Sequence, residues 1–218
     1  MPTIYSNTTD GWQASALQST WNATHDAVGQ SNPNTTSSYA TYGVRYEYVS
    51  GRGGTQYYLA RAFFDFDTSG ITSNVASATF RFAVRTNKAC TPLVIVKSGH
   101  DPSTVTDDWF STWLTGQSIT LSGWGASDVT AYSAATILPS GDTVWEFTLN
   151  SDALADLRDL SSFKICLMHY NDYDDVAPTS GTLRTGLYFA EDSLKKPEIE
   201  YTLATVATDN AVFFGCNF

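Results

Sequence analysis

Apolar and polar residues alternate along several short segments of this chain, with the period of two that β-strands show. In Tyr42–Val49, Val44 and Tyr46 alternate with Arg45 and Glu47. This alternation predicts a half-buried strand whose charged side chains face away from the core.

Other segments carry related patterns. Thr55–Phe66 is apolar on both parities, which predicts a central strand covered on both faces. In Ala76–Arg85, Phe80 and Phe82 alternate with Arg81, as in a strand with one buried face. The remaining predicted strands are Pro92–Lys97, Val144–Leu149, Phe163–Tyr170, Gly186–Ala190 and Pro197–Leu203.

One segment, Ser151–Arg158, has the pattern of a short helix, with Ser151 as its cap and Leu154 and Leu157 as its apolar face. About nine strands with frequent turn signals are typical of sandwiches and barrels. The pattern predicts an all-β fold, an antiparallel jelly-roll β-sandwich with one short helix. We expect a single domain over residues 1–205 and a separate tail over residues 206–218.

Composition and charge exclude several classes of partner. Only 16% of the 218 residues are charged, and 12 Lys and Arg stand against 22 Asp and Glu, giving a net charge of −10. The basic residues are scattered, so no patch predicts nucleic-acid binding. No stretch approaches the ~20 apolar residues of a membrane span, so we expect no membrane partner.

Motifs of catalysis are missing from the sequence. No Gly-x-Ser-x-Gly elbow and no histidine pair at metal-binding helical spacing occurs, and a facing carboxylate pair cannot be recognised from sequence. We therefore predict no enzymatic activity.

The three cysteines, Cys90, Cys166 and Cys216, follow no metal spacing and are predicted to be buried free thiols. A Cys90–Cys166 bridge is the alternative if their strands meet.

An acidic segment after a predicted strand contains Asp172, Asp174 and Asp175. Closely spaced oxygen ligands in a loop suit Ca²⁺, although the full EF-hand spacing is absent. These residues are candidate calcium ligands, and a solvated acidic loop is the alternative.

Three tryptophans, Trp109, Trp113 and Trp124, lie in the turn-rich segment His100–Gly125. Exposed aromatic rings stack on the apolar faces of sugar rings. The three residues are therefore candidate glycan-binding residues by virtue of exposure, and burial in the core is the alternative.

The tail contains four apolar candidates for a contact with another subunit, Val212, Phe213, Phe214 and Phe218. A chain terminus normally frays unless a partner holds it. One reading is an extra edge strand on the same domain. The other is a docking segment that adds a strand to another subunit.

Several short motifs together resemble the DNRLRE-type β-sandwich domains. The matching residues are Arg61, Phe64 and Asp65, then Phe80 and Phe82 in place of leucines, Asp128-Val-Thr130, and finally Glu191, Pro197 and Tyr201. The resemblance implies a carbohydrate-binding-like sandwich of the kind found in surface proteins and bacteriophage virion proteins.

The N-terminal residues do not have the pattern of a secretory signal, and we expect a stand-alone unit; together with the resemblance, this expectation favours a non-enzymatic structural or interaction protein. We expect a virion subunit that decorates a head or belongs to a fibre or tail, assembled in the host cytoplasm. Its partners are other protein subunits of the particle and cell-surface glycans. The alternative is an extracellular glycan-binding module of a secreted or surface protein.

Overall fold

A computed structural model describes residues 1–27, 33–51, 54–88, 90–103, 109–111, 114, 122–138 and 143–205. Within these residues the chain forms ten strands and three helices. In chain order they are β1 (Thr3–Tyr5), β2 (Gly11–Ala14), α1 (Trp21–His25), β3 (Tyr39–Gly51), β4 (Gly54–Asp67), β5 (Val75–Lys88), β6 (Leu93–Lys97), β7 (Val144–Thr148), α2 (Ser151–Asp159), β8 (Ser162–His169), α3 (Tyr170–Tyr173), β9 (Thr182–Tyr188) and β10 (Glu198–Leu203).

The strands pair antiparallel in the order β1-β10-β5-β9-β3-β4-β8-β6, with β2 beside β4 and β7 beside β5. Strand β5 belongs to both halves of this curled sheet. One half contains β1, β10 and β7, and the other contains β9, β3, β4, β2, β8 and β6. The first half of β5 pairs with β10 and β7, and its second half pairs with β9 after a register shift between Val84 and Thr86. The predicted all-β, antiparallel fold is confirmed, while the jelly-roll connectivity stays a prediction.

The main core lies inside the curl of the sheet, where β4 and β5 contact each other across it. Phe64 and Phe66 of β4 meet Phe80 of β5 with ring centroids 5.1 and 6.0 Å apart, although these two strands are not neighbours in the sheet. Every residue from Leu59 to Phe66 is buried. The prediction of a central strand covered on both faces is therefore confirmed for Leu59–Phe66, whereas the first part of the predicted segment, Thr55–Tyr58, is half-buried or exposed.

A second apolar cluster covers the other face of β4, β8 and β6. Alternate residues of β6 separate the two cores, because Leu93 and Ile95 belong to the main core and Val94 and Val96 to the second. The segment between β6 and β7 supplies its outer layer, including Trp109, Leu114, Trp124 and Val129.

Helix α2 agrees with the predicted helix, but its cap is one residue earlier. The side chain of Asn150, not Ser151, accepts hydrogen bonds from the N–H groups of Asp152 and Ala153, both at 3.1 Å. The prediction of one short helix was wrong, because α1 and α3 are also present. Helices of five and four residues are too short to show an apolar period.

Two cysteines, Cys90 and Cys166, are buried free thiols as predicted, and Cys216 lies outside the described residues. None of the described helices has the length and hydropathy needed to cross a bilayer. The predicted tail, residues 206–218, also lies outside the part of the chain that the structure describes.

Candidate functional site

A groove of about 550 Å³ lies beside the outward face of β9, β3 and β4. Its lining includes charged, aromatic and aliphatic side chains from these three strands and from the segment after β2. We call it the arginine groove and define it by Leu17, Arg45, Glu47, Val49, Tyr58 and Arg184.

Strand alternation and register explain why these residues meet. Val44 and Tyr46 of β3 are buried in the main core, so Arg45 and Glu47 between them project to the opposite face. In the strand register, Arg45 lies opposite Arg184 of β9, and Glu47 lies opposite Tyr58 of β4. Three strands thus place these side chains on the same outward face of the sheet, which forms the floor of the groove.

The carboxylate of Glu47 holds both arginines of this floor. Arg45 donates to it through Nε and Nη2 at 2.8 and 2.7 Å, and Arg184 donates through Nε and, at 3.1 Å, through Nη2. The Glu47 side chain is 1% exposed. Burial alone would raise the pKa of Glu47, but the hydrogen bonds and charges of the two guanidinium groups outweigh it and lower that pKa.

Each guanidinium has donors that Glu47 does not use. An arginine carries five N–H donors, and Glu47 accepts two from each partner. The side chains of Arg45 and Arg184 are 19% and 24% exposed. The floor therefore presents oriented hydrogen-bond donors and one uncompensated positive charge, in a chain whose net charge is −10.

Aromatic and aliphatic groups border these donors. The Cζ atom of Arg45 lies 3.8 Å from the ring centroid of Tyr58, and that of Arg184 lies 4.7 Å from the ring centroid of Tyr42. Leu17 is 51% exposed and Val49 39% exposed. The groove combines fixed polar groups with an open apolar wall, as binding sites for small polar molecules do.

The tryptophans predicted to bind glycans are placed differently. Trp109 and Trp124 are 0% and 1% exposed, so the expectation that they face solvent was wrong. Trp109 packs against Phe63 of the second core, and Trp124 stacks on His25 with ring centroids 4.1 Å apart. Trp113 lies outside the described residues.

The predicted calcium ligands are not gathered around a common point. Both carboxylate oxygens of Asp172 accept hydrogen bonds from Arg61, at 2.8 and 2.7 Å. Asp175 accepts from the indole Nε1 of Trp21 at 2.7 Å, while Asp174 is exposed. No group of three or more such ligands is placed to hold a metal ion within the described ranges.

Asp172 instead belongs to a buried ionic cluster that fastens α1 and α3 to β4. Arg61 and His25 are fully buried. The Nε2 atom of His25 lies 2.9 Å from the carbonyl oxygen of Asp172, and its Nδ1 lies 2.9 Å from Asp26. The second oxygen of Asp26 accepts the N–H of Gly123 at 2.8 Å, which ties the segment around Trp124 to the cluster.

Two other buried groups, one near His100 and one at Asp10, have the residue types of catalytic sites but not their properties. Ser98 Oγ lies 2.9 Å from Nδ1 of His100, but burial lowers the pKa of His100 to about 3, so this imidazole is a weak base. Burial raises the pKa of Asp10 to about 8, but this carboxyl is fully enclosed and accepts the N–H of Ala190. Neither group lines the arginine groove.

Sequence patterns indicated only part of this site. The alternation in β3 predicted that Arg45 and Glu47 face outward. Arg184 was missed, because its cross-strand pairing with Arg45 depends on register and not on local pattern. The predicted assembly contacts Val212, Phe213, Phe214 and Phe218 lie outside the described residues.

Comparison with known proteins does not assign the chain to a family. No family model matches the chain, and no curated protein matches it. The resemblance to DNRLRE-type domains therefore stays a prediction from the motifs.

Proposed function

We propose that this chain is a non-enzymatic binding protein and that the arginine groove takes carbohydrate. The observation that carries the proposal is the buried carboxylate of Glu47, which holds two partly exposed guanidinium groups at the floor of an apolar-walled groove. This is the glycan-binding alternative from the sequence, now assigned to a different set of residues.

Sugar chemistry fits the two kinds of surface in the groove. A sugar presents hydroxyl groups around its rim and apolar C–H groups on its ring faces. The guanidinium donors of Arg45 and Arg184 suit the hydroxyl oxygens, while Leu17, Val49 and Tyr58 suit the C–H faces. Because Glu47 already orients both arginines, little conformational entropy is lost when they bind.

A polysaccharide and oligosaccharide array, followed by calorimetry on the best ligand, tests the proposal. We expect Arg184→Ala to weaken binding by about tenfold or more, equivalent to ~1.4 kcal/mol. Arg158→Ala is the matched control, because Arg158 is an exposed arginine on α2 that pairs with its neighbour Asp159. Absence of any glycan ligand, or equal affinity for wild type and Arg184→Ala, would refute the proposal.

The more specific predictions made from the sequence remain proposals in addition to carbohydrate binding. They are the jelly-roll connectivity, the DNRLRE-type relationship, and a place in a virion with the tail as the contact to other subunits. A particle subunit has to associate with other chains, so light scattering of the chain and of a variant truncated after residue 205 tests the assembly role. A monomer in both cases would leave only the glycan-binding proposal, with an extracellular location as its expected setting.

A further inference from the structure

Building on the proposed function, we propose that the carbohydrate site continues along β3 into a second cavity, and that its ligand is a linear oligosaccharide several sugar units long. The arginine groove would hold one part of the oligosaccharide. The second cavity, together with the exposed Tyr39 and the half-buried Tyr188 at its far end, would hold the rest.

The second cavity adjoins the arginine groove and has a volume of about 240 Å³. Arg45 lines both cavities, so the two spaces meet at this side chain. The second cavity is otherwise bordered by aromatic rings and small polar side chains, among them Trp12, Ser37, Tyr39 and Tyr42. Aromatic rings next to hydroxyl and amide groups repeat the mixed chemistry of the groove.

Tyr39 and Tyr188 form the far end of the site. They are register partners on β3 and β9, and their ring centroids are 6.2 Å apart in an edge-to-face arrangement. Tyr39 is 42% exposed. A cation accompanies each ring, since Arg85 Cζ lies 3.5 Å from the Tyr39 centroid and Lys195 Nζ lies 4.0 Å from the Tyr188 centroid.

The length of this surface indicates what kind of ligand it fits. Tyr39 and Glu47 of β3 lie opposite Tyr188 and Thr182 of β9, which are six positions apart and therefore separated by roughly 20 Å at the usual rise per strand residue. A single sugar or a disaccharide covers only part of that distance. The surface also offers donors at both ends, from Arg184 and Arg45 in the groove and from Arg85 beside Tyr39.

Calorimetry with a length series of one homopolymer, from disaccharide to hexasaccharide, tests this inference on the intact chain. We expect the hexasaccharide to bind at least about tenfold more tightly than the disaccharide. Tyr39→Ala should remove most of this gain, and Arg184→Ala should weaken every length. Arg85→Gln is a second, milder variant at the far end, and Tyr5→Ala is the control, because Tyr5 is a similarly exposed tyrosine on β1.

The outcomes separate the two proposals. Affinity that does not depend on length, or a full length gain in both Tyr39→Ala and Arg85→Gln, would overturn the extended site and leave the arginine groove as the binding site. Failure of every length to bind, with a glycan array that is also negative, would overturn the proposed function itself.

Discussion

Replacing Asp172 with Asn tests whether the buried ionic cluster holds the outer segments onto the sheet. Arg61 is fully buried, and its guanidinium stacks on Phe110 with Cζ 3.8 Å from the ring centroid. Its only charged hydrogen-bond partner among the described residues is Asp172, which accepts two hydrogen bonds from it. Asp172→Asn leaves this cation without a counter-charge and with one acceptor fewer.

The expected loss is large because the charge cannot reach water. Breaking a buried ion pair by removing one partner typically costs about 3–5 kcal/mol. For a chain of this length, each kcal/mol corresponds to a change of about 2–4 °C in the melting temperature. We therefore expect Asp172→Asn to melt roughly 10 °C below wild type. Arg61→Met should cost a similar amount, because it leaves the carboxylate of Asp172 buried without a cation.

Urea unfolding of the wild type, of Asp172→Asn, of the single variants Arg61→Met and Asp172→Leu, and of the double variant Arg61→Met/Asp172→Leu measures the coupling between the two side chains, because the double variant combines the last two single substitutions. The double variant should recover most of the stability, because an apolar pair replaces two charges that were both desolvated. Single variants that lose less than about 1 kcal/mol would show that the buried ion pair contributes little to stability. So would a double variant whose loss equals the sum of the losses in Arg61→Met and Asp172→Leu, because the pair would then not be coupled.

Three further predictions use other parts of the molecule. Burial raises the pKa of Asp10 to about 8 from an ordinary 3.8, so the free energy of unfolding should fall as pH rises from about 4 to 8. Urea unfolding at pH 5 and pH 8 should show a smaller fall for Asp10→Asn, and an equal fall would contradict this. Trp124→Ala should cost about 3–5 kcal/mol in the same assay, whereas an exposed ring would cost almost nothing. Glu47→Gln should weaken glycan binding about tenfold in calorimetry, since the arginines lose their anchor, and unchanged affinity would contradict that role.

Local patterns predicted β3 to β8 and β10, because each of these strands shows its burial in its own sequence. Strands β1 and β2 were missed, and β9 begins at Thr182, four residues before the predicted start at Gly186. The run Leu59–Phe66 is apolar on both parities and is buried on both faces. The alternation in β3 correctly set Arg45 and Glu47 apart from the core. The cap of α2 was displaced by one residue, because Asn150 and Ser151 are both good caps and only geometry decides between them.

Long-range contacts were beyond the reach of local patterns. Arg61 and Asp172 are 111 positions apart, and nothing in either neighbourhood indicates the other. The burial of Trp109 and Trp124 had one overlooked signal. Strand β6 is apolar on both parities, so a second layer had to cover its outer face, and the turn-rich segment that follows β6 supplies that layer.

An NMR titration of the isotopically labelled chain locates the surface at which carbohydrate binds, and so decides whether that surface is the arginine groove. The titrant is the best oligosaccharide from the array. We expect the largest shifts on the side-chain signals of Arg45 and Arg184 and on the backbone amides of Glu47 and Tyr58. Shifts confined to any other surface, or none at saturating ligand, would contradict carbohydrate binding at the arginine groove.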